Sequence, residues 1–351
     1  GAEGDVSDAT STAGRQTTER WRANLRGEAG LGVPRGAEWW TGLAPEPGAC
    51  PGVGADGVIH GLPLPDLSRA SRADVLDYFE NGWTITETLF AGLIGEEAFF
   101  RPPWHGLRHP LIFYYAHPAA LFVNKLRVAG VLDEAVHADF EQLFETGVDE
   151  MSWDDLSKNE SRWPTVAEAR AYRGVVHDLV AGVIREHPDL DALPLAPGAR
   201  PNTAVRALLM GCEHERIHIE TSSVLVRELP QHLVRRHPAF PPPHPARAAD
   251  RDAVPPLAFV DLPAGTSVIG KPRDWPTFGW DNEYGRREIA VPELAAAERL
   301  VTNAELHAFV AAGGYREARW WSADGWRWRT FRNSQRPAFW VPEGTAGLHR
   351  Y

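Results

Sequence analysis

Apolar positions recur at helical spacing through the first two thirds of the chain and give way to short runs afterwards. Ser71-Arg-Ala-Asp74 has the form of a capping box, with Asp in place of the usual Glu. Beyond it Val75, Tyr78, Phe79, Leu89, Phe90 and Leu93 follow a helical period and predict a helix of about 25 residues. Pro110 suits the first turn of a second helix, running through Leu111-Ile-Phe-Tyr-Tyr-Ala-His117-Pro118 to about Val131. Pro118 removes a backbone donor and should kink that helix beside His117. A further helix is expected near 133–145. Thr165-x-x-Glu168 is a clean capping box for a long helix ending before Pro188, and Asn202 caps another that Pro230 terminates.

Four long helices with short to medium connections predict a bundle over residues 66–229, and facing helices in bundle cores are where metal sites are built. Residues 1–65, rich in Gly, Ala and Pro with one short helical segment near Glu19–Leu25, are expected to form a loose arm over it. Residues 230–256 contain Pro-Ala-Phe-Pro-Pro-Pro-His-Pro and are expected to be a linker. From 257 to 351, runs such as Ala258-Phe-Val-Asp-Leu and Thr266-Ser-Val-Ile-Gly alternate with turn residues, with one helix near Thr302–Ala312. The fold class expected is therefore α+β in two parts.

The 351 residues suit about two domains. A formal net charge of −11 argues against nucleic acid or anionic membrane as the main partner. Two cysteines, Cys50 and Cys212, make no disulfide framework, and Cys212 reads as a small buried apolar residue. The most apolar run, Leu111 to Val123, is interrupted by His117 and Pro118 and falls short of the ~20 residues that span a bilayer. With no secretory signal pattern in the sequence, a cytoplasmic location is expected. Fourteen tryptophans suit either an aromatic-walled pocket or a Trp-rich core.

The chemistry concentrates in Met210-Gly-Cys-Glu-His-Glu-Arg-Ile-His-Ile-Glu220. His214 and His218, four apart, share one helix face and can hold one metal ion. Glu213, Glu215 and Glu220 stand close enough in sequence to orient the two imidazoles. His117, at a kink in an apolar helix, needs a carbonyl, a water or a metal to be buried. His214-Glu215-Arg216-Ile217-His218 also spells His-Glu-x-x-His, the zinc-hydrolase signature, in which Glu215 would activate a bound water. The extended form of that motif fails, since Thr221 and Val224 stand where Gly and His belong, and Glu228 on the same helix is a poor third ligand. A bundle with a purely structural metal is the non-enzymatic alternative.

Three long motifs carry a resemblance. His105-Gly-Leu-Arg-His-Pro-Leu-Ile-Phe-Tyr-Tyr-Ala-His117-Pro, Phe144-Glu-Thr-Gly-Val-Asp-Glu-Met-Ser-Trp-Asp-Asp-Leu156 and Glu213-His-Glu-Arg-Ile-His-Ile-Glu-Thr-Ser-Ser223 resemble the 5-histidylcysteine sulfoxide synthases that open ovothiol biosynthesis. Gly279-Trp-Asp-Asn-Glu283, Leu300-Val-Thr-Asn303, Gly313-Gly-Tyr315 and Gly325-Trp-Arg-Trp328 resemble that family's formylglycine-generating-enzyme-like module. The resemblance implies a DinB-like four-helix bundle followed by a C-type-lectin-like α+β module. It implies non-haem Fe(II) held by His117, His214 and His218, with positions left for a thiolate, a histidine and O2. The substrates implied are L-cysteine, L-histidine and O2, joined by oxidative C–S bond formation at the imidazole C5. Apart from the resemblance, Asp154 and Asp155 suit either the ammonium groups of an amino-acid substrate or a solvated face, Trp153 suits either a wall of the substrate pocket or a core anchor for its loop, and Glu213 and Glu215 are expected to orient the ligands.

Two features lean toward free histidine over the trimethylated histidine of ergothioneine-type relatives. The loop holding Asp149, Glu150, Asp154 and Asp155 is acidic where those relatives tend to be arginine-rich, and Ile217 stands where they often have Gln. The family's second module normally continues further and carries a tyrosine that acts in the reaction. The later half of the module is not found before His349-Arg-Tyr351, so the sequence assigns no such tyrosine.

Overall fold

The structure, a computed structural model, describes residues 35–104, 108–145, 163–196, 198–241, 256–338, 340–343 and 347–350. They fall into a helical unit, residues 35–241 with 270–286, and a second unit formed by the remaining described residues from 256 onward.

Among the described residues, six α-helices build the helical unit: α1 (Arg72–Ala91), α2 (Glu97–Phe100), α3 (Leu111–Val128), α4 (Ala138–Leu143), α5 (Val166–Glu186) and α6 (Thr203–Val226). Their starts are set locally. Ser71 and Asp74 form a reciprocal capping box, as do Thr165 and Glu168, and the Asn202 side chain accepts from Val205 N. Each cap satisfies backbone donors that a helix start leaves free. The helix expected over 133–145 shortens to α4, with His137 as its cap.

α3 is the central element. It is apolar on every side, buries thirteen residues from Leu111 to Leu126, and packs against both α5 and α6. α1 packs against α5 and α6 from the other side. A Cβ on Gly211 of α6 would fall 2.2 Å from the ring of Phe122 on α3, so α6 approaches α3 this closely only because residue 211 has no side chain. That contact lies one turn before His214. A short 3-10 turn at Ala37–Trp39 drops Trp39 into the same core, where it stacks on Tyr115 at 5.1 Å and donates to the Glu87 carbonyl.

The boundary expected at residue 230 is corrected. Leu229 and Leu233 are buried, Ile94 N donates to Leu233 O, and Arg235 N donates to Gly92 O, so the chain to Pro241 packs on the bundle. Burial of two leucines outweighs the flexible composition around them. Residues 242–255 lie outside the described set.

Among the described residues the second unit has antiparallel strand pairs and two short α-helices. β1 (Phe259–Leu262) pairs with β4 (Leu294–Ala297), β2 (Gly265–Ile269) with β3 (Arg287–Val291), and β5 (Trp340–Glu343) with β6 (Gly347–Arg350). α7 (Asn303–Ala311) starts at a Thr302–Glu305 capping box, and α8 (Ala323–Phe331) follows. The chain is mixed α+β, a helical domain with a small sheet region after it. Residues 270–286, between β2 and β3, belong to the helical unit instead of the second module. Phe278 is buried in the helical core, Leu67 N donates to Pro276 O, and Arg206 pairs with Asp281 at 2.5 Å.

Candidate metal centre

Two helices supply three histidines that converge. α6 presents His214 and His218 one turn apart, and α3 presents His117 opposite them. The ring centres lie 4.7 Å apart for His117 and His214, 4.6 Å for His117 and His218, and 4.3 Å for the pair on α6. One ring nitrogen from each lies within 4.8 Å of the other two, and this is the described group of His, Cys, Asp or Glu side chains able to hold a metal ion.

Each ring is kept in the form a metal needs. Burial pushes His117 down to about 4, with the Phe144 carbonyl working the other way, and pushes His218 down to about 3. His214 is held well below the usual range by burial and by its two histidine neighbours. All three are neutral at pH 7, with a nitrogen lone pair to donate. His117 Nδ1 donates to the carbonyl oxygen of Phe144, which fixes its tautomer and leaves Nε2 facing α6. Its Nε2 stands 3.1 Å from Nε2 of His214. Two imidazole nitrogens bound at about 2.1 Å to one ion at a right angle would stand about 3 Å apart. The Nδ1 atoms of His214 and His218 are buried with no hydrogen-bond partner among the described residues. Donor type, spacing and protonation all fit a metal.

Aromatic rings wall the centre. Phe113 stacks on His117 at 4.7 Å, Tyr114 tilts against His218 at 5.8 Å, and Phe144 and Trp163 stack at 6.0 Å behind Phe113. A cavity of about 350 Å³ lies elsewhere in the helical unit, lined among others by Leu67, Arg206, Trp275, Phe278 and Tyr284, and none of the three histidines borders it.

The glutamates expected to orient the imidazoles do something else. Glu213 accepts from the Tyr78 hydroxyl on α1. Glu215, 2% exposed, faces Arg173 on α5 at 3.3 Å. Neither hydrogen-bonds a histidine, because residues 213 and 215 turn about 100° away from 214 on a helix. This also removes Glu215 as the base of a zinc hydrolase, since its buried carboxylate is paired with an arginine. Glu228 accepts from Trp104 N. Cys212 is buried, and burial pushes its thiol up, as expected of an inert core cysteine. Trp153, Asp154 and Asp155, with Asp149 and Glu150, lie outside the described residues.

Sequence reasoning missed the Phe144 carbonyl and Arg173. No side-chain pattern marks a carbonyl. Arg173 was visible as the one charge in step with Ala169, Val176 and Val180 on the buried face of α5. It is fully buried, and burial works against its charge, but Glu215 and Glu87 outweigh burial and hold it protonated.

No helix among the described residues is long and apolar enough to cross a membrane. Residues 78–222 match the DinB superfamily. The chain is 30% identical over 257 residues to the hercynine oxygenase of Mycolicibacterium thermoresistibile, covering 71% of this chain and 51% of that protein. It is 28% identical over 258 residues to ergothioneine biosynthesis protein 1 of Neurospora crassa, covering 69% of this chain and 28% of that protein. A hercynine oxygenase of Mycolicibacterium smegmatis is 30% identical over 181 residues, covering 51% of this chain and 37% of that protein. The chain therefore spans about half the length of the first relative and less of the others. The three histidines all lie inside the region that matches the DinB superfamily, in a chain similar to proteins named hercynine oxygenase.

Proposed function

We propose that the chain is the metal-binding part of an O2-dependent sulfoxide synthase that joins a thiol to the imidazole of hercynine, the trimethylated histidine. The observation that carries this reading is the group of three neutral histidines on α3 and α6, within the region similar to hercynine oxygenases. The names of the relatives favour the ergothioneine-type substrate over the free histidine expected from the motifs. Ile217 does not weigh against this. It is 47% exposed, so its lack of a polar group leaves nothing buried unmet.

His117, His214 and His218 would hold Fe(II), which when bound supplies O2 activation and a site for a thiolate. The protein's own work is to keep the three rings neutral by burial and to fix the His117 tautomer through Phe144. Phe113, Tyr114 and Phe144 exclude water on the α3 side. The reaction balances without a separate reductant: forming the C–S bond and oxidising sulfur to the sulfoxide each release two electrons. One oxygen atom enters the product and the other leaves as water.

The test is anaerobic loading with Fe(II), then O2 uptake and mass analysis with hercynine or L-histidine, each with L-cysteine or γ-glutamylcysteine. A thiol adduct of hercynine carrying one added oxygen is expected. Turnover with L-histidine alone would move the protein to the ovothiol type. Tight zinc retention with no iron binding would overturn the oxygenase reading.

A further inference from the structure

Arg173 on α5 touches the other three long helices at once. Its Nη1 donates to the Tyr115 carbonyl on α3 at 2.9 Å, and its Nη2 donates to the Glu215 carboxylate on α6 at 3.3 Å. Its Nε faces the Glu87 carboxylate on α1 at 3.5 Å, and the guanidinium carbon sits 3.9 Å from the centre of the Trp83 ring. The positions of these partners matter. Tyr115 lies two residues before His117, and Glu215 lies between His214 and His218. The turn of α3 that holds His117 is also the one Pro118 weakens, since proline has no N–H for the Tyr114 carbonyl. A second helix end of the same network is tied to the residues before α1, because Thr41 N donates to Glu87 at 2.8 Å.

Among the described residues the α6 rings have no hydrogen-bonded anchor beyond the contact between His214 and His117. The Nδ1 atoms of His214 and His218 have no partner among the described residues, and Glu213 and Glu215 are engaged elsewhere. The aim of those rings therefore depends on where α6 stands relative to α3. A planar guanidinium offers N–H groups at fixed angles, so one side chain can set the register of both helices.

We propose that Arg173 is the positioning residue of the metal centre, its fork fixing α3 against α6 and thereby the separation of His117 from His214 and His218. This rests on the reading of those histidines as metal ligands. An ammonium at position 173 keeps the charge between Glu87 and Glu215 but lacks the fork. Arg173→Lys should therefore fold yet hold the helices less exactly.

The experiment titrates the full chain with Co(II) anaerobically, following visible absorption for coordination and circular dichroism for fold. Wild type should bind one Co(II), and His218→Ala should lose the bands. Arg173→Lys should keep the helical signal while binding about 10-fold or more weakly with shifted bands. The double variant Arg173→Met with Glu215→Gln removes one buried charge of each sign, and should also fold and bind weakly. No Co(II) binding by wild type would sink the ligand reading and this inference with it. If wild type binds, His218→Ala does not, and both Arg173 variants match wild type in affinity and spectrum, the ligands stand and the role of Arg173 is overturned.

Discussion

Nε2 of His117 and Nε2 of His214 stand 3.1 Å apart across 97 residues of sequence. With its Nδ1 proton given to the Phe144 carbonyl, His117 Nε2 can only accept, so it takes a proton from His214 Nε2 or shares one cation with it. Replacing any one of His117, His214 and His218 with Ala should therefore cost metal affinity well beyond the ~10–100-fold that outer hydrogen-bond partners are worth. The helical signal should be retained. Equilibrium dialysis against Fe(II) or Zn(II) checks it, and unchanged affinity in any one variant would remove that residue from the centre.

Gly211 lets α6 reach α3, one turn from His214. Gly211→Ala should push the helices apart against the Phe122 ring, destabilising the protein by about 1–3 kcal/mol. Metal binding should weaken in the same variant. Adding Phe122→Leu should recover part of both. Urea unfolding of the metal-free protein, beside a metal titration, measures the two effects separately.

His177 on α5 is buried, which by itself lowers its pKa, but Glu80 at 2.8 Å and Asp178 at 3.1 Å outweigh burial and raise it. A histidine with a raised pKa contributes stability that is fully present below its ordinary value of about 6.5. That contribution is lost as pH rises through the raised value. The melting temperature of the metal-free protein should fall between pH 6 and pH 9 more steeply than that of His177→Gln. Parallel profiles would show that the pair adds nothing.

Trp39 lies outside the four long helices yet is 2% exposed, stacked on Tyr115 and donating to Glu87. Trp39→Ala should cost about 3–5 kcal/mol, as for other buried aromatics cut to alanine. A midpoint in urea unchanged from wild type would mean that residues 35–41 are not part of the cooperative unit.

The helices were legible because what starts them is local. Ser71 with Asp74, Thr165 with Glu168 and Asn202 each bond a backbone group within three residues, and apolar periodicity shows which faces are buried. The pairing of His214 with His218 is equally local, since four residues along a helix bring side chains to one face. That logic also explains the error over Glu213 and Glu215. Adjacency in sequence placed them near the histidines, and helix rotation turned them toward Tyr78 and Arg173.

What only the tertiary structure decided is whatever depends on contacts between distant segments. Periodicity buries α3 but does not choose which residue of α6 meets His117; the Gly211–Phe122 approach and the Arg173 fork do. The tautomer of His117 depends on a carbonyl at Phe144, which any residue there would supply. Residues 270–286 show the same limit. Their turn-rich composition suits the strands on either side, but burying Phe278 and pairing Asp281 with Arg206 place them in the helical unit. Propensity and capping act over a few residues, whereas burial is settled by whichever surface the folded chain brings near.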